Sequence, residues 1–547
     1  MADAKNNDIE KQGGDRMTNM NQPSVLDGTQ RNQGATAQEM NIYVARIMSG
    51  IVRTTLGPKG MDKLLVDSLG DATVTNDGVT ILREMNIDNP IAKMMVEIAR
   101  TQETEVGDGT TTAVVMAGEL LKNAETLIKK RVHPTVIAKG YKLASEEAIK
   151  ILEEISINIK ESGQKMLMDI AKTAMTGKGS EENRNLLAEI VVESILSVRD
   201  DDKVNLRDIR IEKKTGGSIT DTKIIEGIIL NKEKRHPNMP KKIEDVKIAL
   251  LDGGLEIKNL DMDAKINISN PVEMQAFIRQ EAETIKAMIE KIKASGANTV
   301  ICGRSIDDAA THYLVKMGVY GIQRVSREDL ESLSKATGAR IVTNIDELEQ
   351  GDIGAAGIIE EEVLGRTMMT IVKEIPNARS VTILVRGATE QMVSETKRAI
   401  EDALGDVATV VRDGKIVGGA GAPEIIVAKR IREFSNTLKG REQLAVLAFA
   451  DSMESIPEAL AENAGLDPID MLTEMRSSAK HGNEWPGLDV FEGKVMNSFA
   501  NGIVEPLRIK TQAINSATEV AMMVLRIDDV ISILKNPNAP PDAVRQQ

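Results

Sequence analysis

The sequence predicts a multidomain protein of mixed α and α/β class, mostly helical in its first and last parts, with a small α/β segment between them. Three observations carry this. The chain has 547 residues, and at roughly 100–200 residues per domain that makes three or four domains with real cores. Apolar residues recur at helical spacing through most of the first 155 residues and again after about 387. Between about 240 and 385, short apolar runs alternate with helical stretches, the rhythm of a sheet covered by helices.

Residues 1–35 are polar, rich in Asn, Gln and Gly, and read as a mobile arm, with 1–21 its free part. A helix is expected from Thr36, because Met40, Val44, Ile47, Met48 and Ile51 fall at helical spacing, and the breaker pair Gly57-Pro58 ends it. Strands follow at Lys63–Val66 and Ala72–Thr75, then the turn Asn76-Asp77-Gly78. Helices are expected over 91–104, 111–130 and 134–155. From 160 to 235 the pattern is mixed, with the loop Thr176-Gly177-Lys178-Gly179 between helical segments. The charged, two-proline stretch 231–242 reads as a solvated boundary. Beyond it the strand candidates are Val246–Leu251, Thr299–Cys302, Gly318–Ile322, Arg340–Val342 and Val381–Val385. In 273–293, Met274, Phe277, Ile278, Ile285, Met288, Ile289 and Ile292 form an apolar helical stripe. It packs as core or, where it follows the polar stretch 258–271, serves as an adaptable contact surface.

Composition removes several classes of function. There are 69 Lys+Arg against 83 Asp+Glu, a net charge of −14, and 2% aromatic residues: five Phe, four Tyr and one Trp. Single-stranded nucleic acid is held on aromatic platforms in basic grooves, so nucleic acid is not an expected partner. With 27 Met and few rings, the cores must be built from Ala, Val, Ile, Leu and Met. No apolar run approaches the ~18 residues of a membrane helix, and the first residues lack a signal-like apolar stretch. Neither membrane association nor export is expected, which points to the cytoplasm. The single cysteine, Cys302, excludes an internal disulfide and a thiolate zinc site, and reads as a small buried hydrophobe. His133, His236, His312 and His481 are scattered without ligand spacing. Carboxylates, hydroxyls and backbone amides remain.

The strongest local pattern is Gly107-Asp108-Gly109-Thr110-Thr111-Thr112 ahead of a helix that begins AVVMAGELL. Glycines admit close backbone approach, a helix N-terminus offers free N–H groups and a positive dipole end, and Asp108 could hold Mg2+. An ordinary turn with a threonine cap fits equally well. Leu56-Gly57-Pro58-Lys59-Gly60 is either a phosphate-facing turn or a helix C-cap. Asn76-Asp77-Gly78 favours a tight turn over a catalytic carboxylate. Gly418-Gly419-Ala420-Gly421 is a close-approach loop or a hinge. Asp402 reads locally as a solvated helix charge, and Lys178 as a surface lysine or a phosphate sensor. Neither a GxxxxGK[ST] loop nor a GxGxxG opening is present, so a nucleotide here would be held outside the P-loop and Rossmann patterns.

Taken together, TLGPKGMDKLLVDSLGD, VTNDGVTIL, VGDGTTTAVV, GREQLAVLAFADSMESIPEALAENAGLDPIDML and GIVEPLRIKTQAI resemble a group II chaperonin of the TCP-1 family, more narrowly the archaeal thermosome, in order over about residues 22–535. The resemblance implies a mostly helical equatorial ATPase domain from residues 22–160 and 421–536. It implies an intermediate hinge domain from 161–233 and 386–420. Residues 234–385 would be an α/β apical domain with a helical protrusion at about 256–285 acting as a built-in lid, and 537–547 a tail. It implies an ATP-dependent chaperone: subunits in two stacked rings, usually eightfold, of one or several kinds. The rings would enclose non-native proteins without a separate lid protein.

The same resemblance implies ATP and Mg2+ as cofactors, with K+ as an accompanying ion. Leu56, Gly57, Pro58 and Lys59 would line the phosphates. Asp108 would bind Mg2+, and Gly107, Gly109, Thr110, Thr111 and Thr112 would hold phosphate oxygens. Asp77 and Asp402 would position and activate water, flanked by Asn76 and Gly78. Lys178 would sense the γ-phosphate, and Gly419, Ala420, Gly421 and Glu505 would lie near adenosine. Two departures stand out: Ala420 replaces the middle of a glycine triplet, where its methyl group would crowd the ribose or tighten the loop, and the Gly/Met-rich C-terminal tail is missing. The competing reading is a passive holdase that binds unfolded chains with little hydrolysis, for which Ala420 is the local argument.

Overall fold

In a computed structural model, the described residues are 29–533 apart from 67–69, 71, 86, 160–162, 179–180, 201–202, 257–270, 365–366 and 377–380. The free arm 1–21, the tail 537–547 and the polar stretch of the protrusion at 258–270 lie outside them, as does Gly179. So do the side chains of Met274, Phe277 and Ile278.

The first and last segments build one helical unit around a shared core. Helices Gly34–Arg53, Pro90–Val106, Thr110–Lys129 and Pro134–Ile155 pack with Ala422–Ser435, Arg441–Met453, Ser455–Asn463 and Leu507–Leu525. Helix Thr110–Lys129 lies at the centre. It buries Ala113, Val114, Val115, Met116, Ala117, Leu120 and Leu121, apolar on nearly all sides as a surrounded helix must be. Gly118 lets it cross Gly34–Arg53 closely, since a Cβ there would lie 2.2 Å from Cβ of Ser49. That first helix faces the core through Ala37, Ile42, Ala45 and Met48, whereas Met40 and Ile47 of the expected stripe are exposed. Close approach of the central helix selects the small-residue face. Thr29–Gln33, read above as part of a mobile arm, is a strand pairing antiparallel with Asp529–Ile533. TQRNQ carries no apolar alternation, so only its partner reveals it. The core is aliphatic as composition requires, although Tyr141 and Phe449 meet edge to face inside it at 6.0 Å.

A middle unit joins helices Gly163–Met175, Arg184–Val198 and Glu390–Asp413 to a three-stranded sheet of Ile209–Thr215, Val381–Gly387 and Lys223–Glu226. The strand at Val381, expected in the α/β segment, belongs to this sheet: it pairs in parallel with Ile209–Thr215 and buries Val381, Ile383 and Val385 in the middle core.

The α/β unit is a seven-stranded mixed sheet. Its path runs Tyr320–Ile322, Thr299–Cys302, Lys242–Leu251, Gly354–Leu364, Thr367–Lys373, Ile228–Leu230, with Ile341–Val342 also on Lys242–Leu251. Ala249 and Leu251 enter one core and Ile248 and Leu250 another, the two-residue alternation of a strand buried on both faces. Cys302 is fully buried there, and burial raises its thiol above the ordinary range. The helix Pro271–Ala294 seats Ile285, Ile289 and Ile292 in this core, so the second half of the stripe is packing. The stretch 231–242 is not a solvated boundary. Lys234 is buried, with its ammonium 3.0 Å from the Met239 carbonyl and 3.4 Å from Glu361, and Ile228–Leu230 already pairs with Thr367–Lys373. The crossing into this unit therefore precedes residue 228.

Candidate functional site

A cavity of about 630 Å³ opens where the helical and middle units meet. Of the residues singled out in the sequence, Leu56, Gly57, Pro58, Asn76, Asp77, Gly107, Asp108, Gly109, Thr110, Thr111, Thr112, Lys178, Asp402, Ala420, Gly421 and Glu505 line it. Segments some three hundred residues apart in sequence thus share one wall.

One side is built for an anion. Gly109 is the N-cap of helix Thr110–Lys129 with φ +80, and a Cβ there would lie 2.7 Å from Ile509 Cγ2, so only glycine fits. The N–H groups of a first helical turn have no partner within the helix, and three threonines surround them. The Asp108 carboxylate is turned by the Gly109 N–H, 2.7 Å from its Oδ1. Beneath it, fully buried Gln102 donates to the carbonyls of Asp108 at 2.9 Å and Ile509 at 3.2 Å.

The other side carries carboxylates around one ammonium. Lys178 Nζ donates to Asp402 Oδ2 at 2.5 Å and lies 3.7 Å from Asp108 Oδ1. Burial works against the lysine's charge, but Asp108, Asp402 and Asp406 outweigh it and hold its pKa above the usual value. Burial pushes Asp402 up to about 7, with Asp108 and Asp77 adding repulsion and Lys178 opposing. Asp77 begins the helix Gly78–Glu84 as its cap, accepting from Thr80 N–H at 2.9 Å and Thr80 Oγ1 at 2.6 Å. The turn reading of Asn76-Asp77-Gly78 therefore becomes a helix start.

Several expected contacts are displaced. Lys59 does not line the cavity: it is exposed, and its ammonium sits 5.1 Å from the centre of the Phe491 ring. Gly78 and Gly419 are spacing residues behind the wall. A Cβ on Gly78 would meet Thr111 Oγ1 at 2.6 Å, and one on Gly419 would meet Glu505 Oε1 at 2.7 Å. Glu505 is tied to Lys510 at 2.7 Å, and the same ammonium reaches Glu424 at 3.0 Å. Ala420 takes φ +59, a left-handed conformation that glycine adopts freely and that costs an alanine about 1–2 kcal/mol.

Sequence reasoning missed Gln102, Arg398 and Asp406. Asp406 follows Asp402 by four residues on helix Glu390–Asp413, one face of one helix, and that spacing was the available signal. It is 2% exposed, lines the cavity, and its Oδ1 has no partner. Burial raises its pKa well above the usual value, with Asp108, Asp402 and Glu505 adding to this.

Among the described residues, no three His, Cys, Asp or Glu side chains are grouped to hold a metal by themselves. A cation at Asp108 would need ligand oxygens from a bound molecule, as Mg2+ takes from phosphates. The N–H groups and hydroxyls opposite, with the surplus carboxylate at Asp406, fit a polyphosphate carrying such a cation. No helix among the described residues is long and apolar enough to cross a membrane.

Comparison with known proteins shows the family. The chain is 53% identical over 506 residues to the thermosome subunit beta of Methanothermobacter thermautotrophicus, covering 92% of this chain and 94% of that protein. It is 52% identical over 510 residues to the thermosome subunit of Methanopyrus kandleri, with 92% and 94% covered. It is 50% identical over 512 residues to the thermosome subunit alpha of Archaeoglobus fulgidus, with 93% and 94% covered. Residues 48–534 match the TCP-1/cpn60 chaperonin family. The chain belongs to that family, and its likeness is to the archaeal group II chaperonins.

Proposed function

We propose that this chain is an ATP-dependent molecular chaperone subunit whose Mg-ATP hydrolysis drives closure of a double-ring chamber around non-native proteins. The observation that carries the reading is the cavity itself. The equatorial part brings Asp77, Asp108 and the threonine triplet, and the hinge brings Lys178 and Asp402 from two separate segments. A site assembled across a hinge is complete only when the hinge is closed, which ties hydrolysis to domain movement.

The residues divide the work. Thr110, Thr111 and Thr112 hold the phosphates against the helix N-terminus, and Asp108 holds Mg2+, which when bound neutralises phosphate charge. Lys178 links Asp402 to Asp108, so it senses whether a γ-phosphate lies between them. Asp402, ionised, accepts a proton from the attacking water, and Asp77 orients that water from a fixed carboxylate. The loop Ala420-Gly421 and the wall near Glu505 take the nucleoside end.

A partition into three nested domains, with the α/β part entered before residue 228 and left before Val381, the lid at about 256–285, rings of one or several subunit kinds and a cytoplasmic setting go with this reading. The competing reading, a passive holdase, rests locally on Ala420 alone, and refolding of a denatured client with ATP but not with ADP decides against it.

Asp402→Ala is expected to lower ATP turnover by about 10²–10⁴-fold while nucleotide binding persists. Steady-state hydrolysis and equilibrium binding of a non-hydrolysable analogue measure the two separately. Wild-type turnover in that variant, or an absence of ring-sized particles in electron micrographs of the wild type, would overturn the proposal.

A further inference from the structure

The turn that presents Asp77 is fastened from both sides. Thr75 closes the strand Ala72–Thr75 and is 1% exposed. Its hydroxyl oxygen accepts the Asp77 backbone N–H at 3.1 Å and Nη1 of Arg398 at 2.7 Å. A hydroxyl oxygen has two acceptor lone pairs, and both are used. Arg398 lies one helical turn before Asp402 on Glu390–Asp413, and the same Nη1 is 3.0 Å from Glu395. The next residue, Asn76, donates its side-chain amide to the carbonyl of Gly177 at 3.0 Å, immediately before Lys178.

The middle unit reaches the helical unit through two separate segments of chain. Arg398 and Asp402 come from one, Gly177 and Lys178 from the other. Three consecutive residues, Thr75, Asn76 and Asp77, thus meet both segments and the reaction site. The Asp77 carboxylate is held by Thr80, and its N–H by Thr75. Undocking of either hinge segment removes one of the contacts that aim this turn.

We infer that Thr75, Asn76 and Arg398 are positioning residues that aim Asp77 only while both hinge segments are docked on the strand end. The inference rests on the ATP-hydrolysis reading and adds how docking of the hinge is transmitted to one reacting group. None of the three needs to touch the reacting atoms. A misplacement near 1 Å at such a group costs on the order of 10²-fold in rate, so hydrogen bonds of this kind suffice to switch turnover.

The test uses the assembled full-length protein and separates turnover from binding. Thr75→Val keeps the shape and removes the acceptor, and Thr75→Ser restores the acceptor. Expected is a fall in kcat of about 10–100-fold for Thr75→Val with analogue affinity within about two-fold of wild type. Thr75→Ser should stay near wild type. Arg398→Gln should also lower kcat, and the double variant Thr75→Val/Arg398→Gln should fall no further than the worse single variant, since both act on one contact. Wild-type turnover in Thr75→Val, equal impairment of the serine variant, or a matched loss of affinity and turnover would overturn the inference. If Thr75→Val fails to assemble, Arg398→Gln alters the same contact from a side chain that is 31% exposed, and unchanged kcat there would overturn it too. Wild-type protein that hydrolyses no ATP would sink the ATPase reading and this inference with it. Wild-type hydrolysis with unaffected variants sinks the inference alone.

Discussion

Asp402 occupies a position where local sequence argues for solvent: a helix flanked by Lys397, Arg398 and Glu401. What sets it apart is its pairing with Lys178, 224 positions away in the chain, which local sequence does not encode. The glycine and threonine positions were legible because close approach and helix-start geometry restrict residue type. Asp108 stood out with them, and the resemblance then added Asp77 and Asp402. Asp406 was legible to neither, although its cost is physical and measurable. Folding takes a carboxylate whose ordinary pKa is near 3.9 and raises it well above that value by burial among Asp108, Asp402 and Glu505. The folded state therefore holds this proton more tightly than the unfolded state. Its stabilising effect is full below the ordinary carboxylate range and is lost as pH rises through the raised value. Asp406→Asn removes that burden. The nucleotide-free variant should resist denaturant better than wild type at pH 8, and the difference should shrink towards pH 4. A denaturant series at the two pH values measures this. A variant less stable than wild type at pH 8 would contradict it.

At the scale of elements, those with clean periodicity were readable. The strand at Thr299–Cys302 and the hairpin strands Lys63–Val66 and Ala72–Thr75 have the expected ends, the helix at 91–104 extends to Pro90–Val106, and the one at 111–130 is shifted by one residue to Thr110–Lys129. The strand pair Gly354–Leu364 and Thr367–Lys373 was not read. Its first strand carries Glu360, Glu361 and Glu362 in a row, which looks like a solvated run. Their partners lie elsewhere in sequence: Lys373 holds Glu360 and Glu362, and Lys234 holds Glu361. Cross-strand ion pairs hide a strand from any local pattern. The central helix shows the converse, a constraint that only packing exposes. Gly118→Val would force side-chain atoms into Ser49 and push apart the pair Gly34–Arg53 and Thr110–Lys129. Overpacking of this sort costs about 1–3 kcal/mol, so the denaturation midpoint should fall. Because the same helix starts at Gly109, nucleotide affinity should weaken as well. A variant with both quantities unchanged would show that the crossing has slack.

For the whole molecule, three units in sequence-nested order mean that the innermost one can be removed without cutting the others. The α/β unit has two cores of its own, one on each face of its sheet, and shares a small third cluster, Ile229, Met369 and Ile371 with Ile225 and Leu384, with the middle unit. Its entering and leaving strands, Ile228–Leu230 and Thr367–Lys373, pair antiparallel with Val372 opposite Ile228. Paired residues in such a ladder are only about 4.5–5.5 Å apart, so a linker of a few Gly and Ser residues can replace everything between them. The cavity residues all lie outside the removed segment. A variant lacking residues 229–371 should therefore keep the helical core, bind a non-hydrolysable ATP analogue with near wild-type affinity, and retain hydrolysis that Asp402→Ala abolishes. On the proposed chamber reading it should also lose the ability to protect a denatured client from protease, since the segment to which that reading assigns the lid is gone. The two readouts separate the motor from the chamber. If binding disappears while the helical content remains, the site depends on the α/β unit through its contacts with the middle unit, the buried cluster of Ile225 and Leu384 with Ile229, Met369 and Ile371 and the ion pair of Arg210 with Asp329. If client protection survives, the enclosing surface has been assigned to the wrong third of the chain.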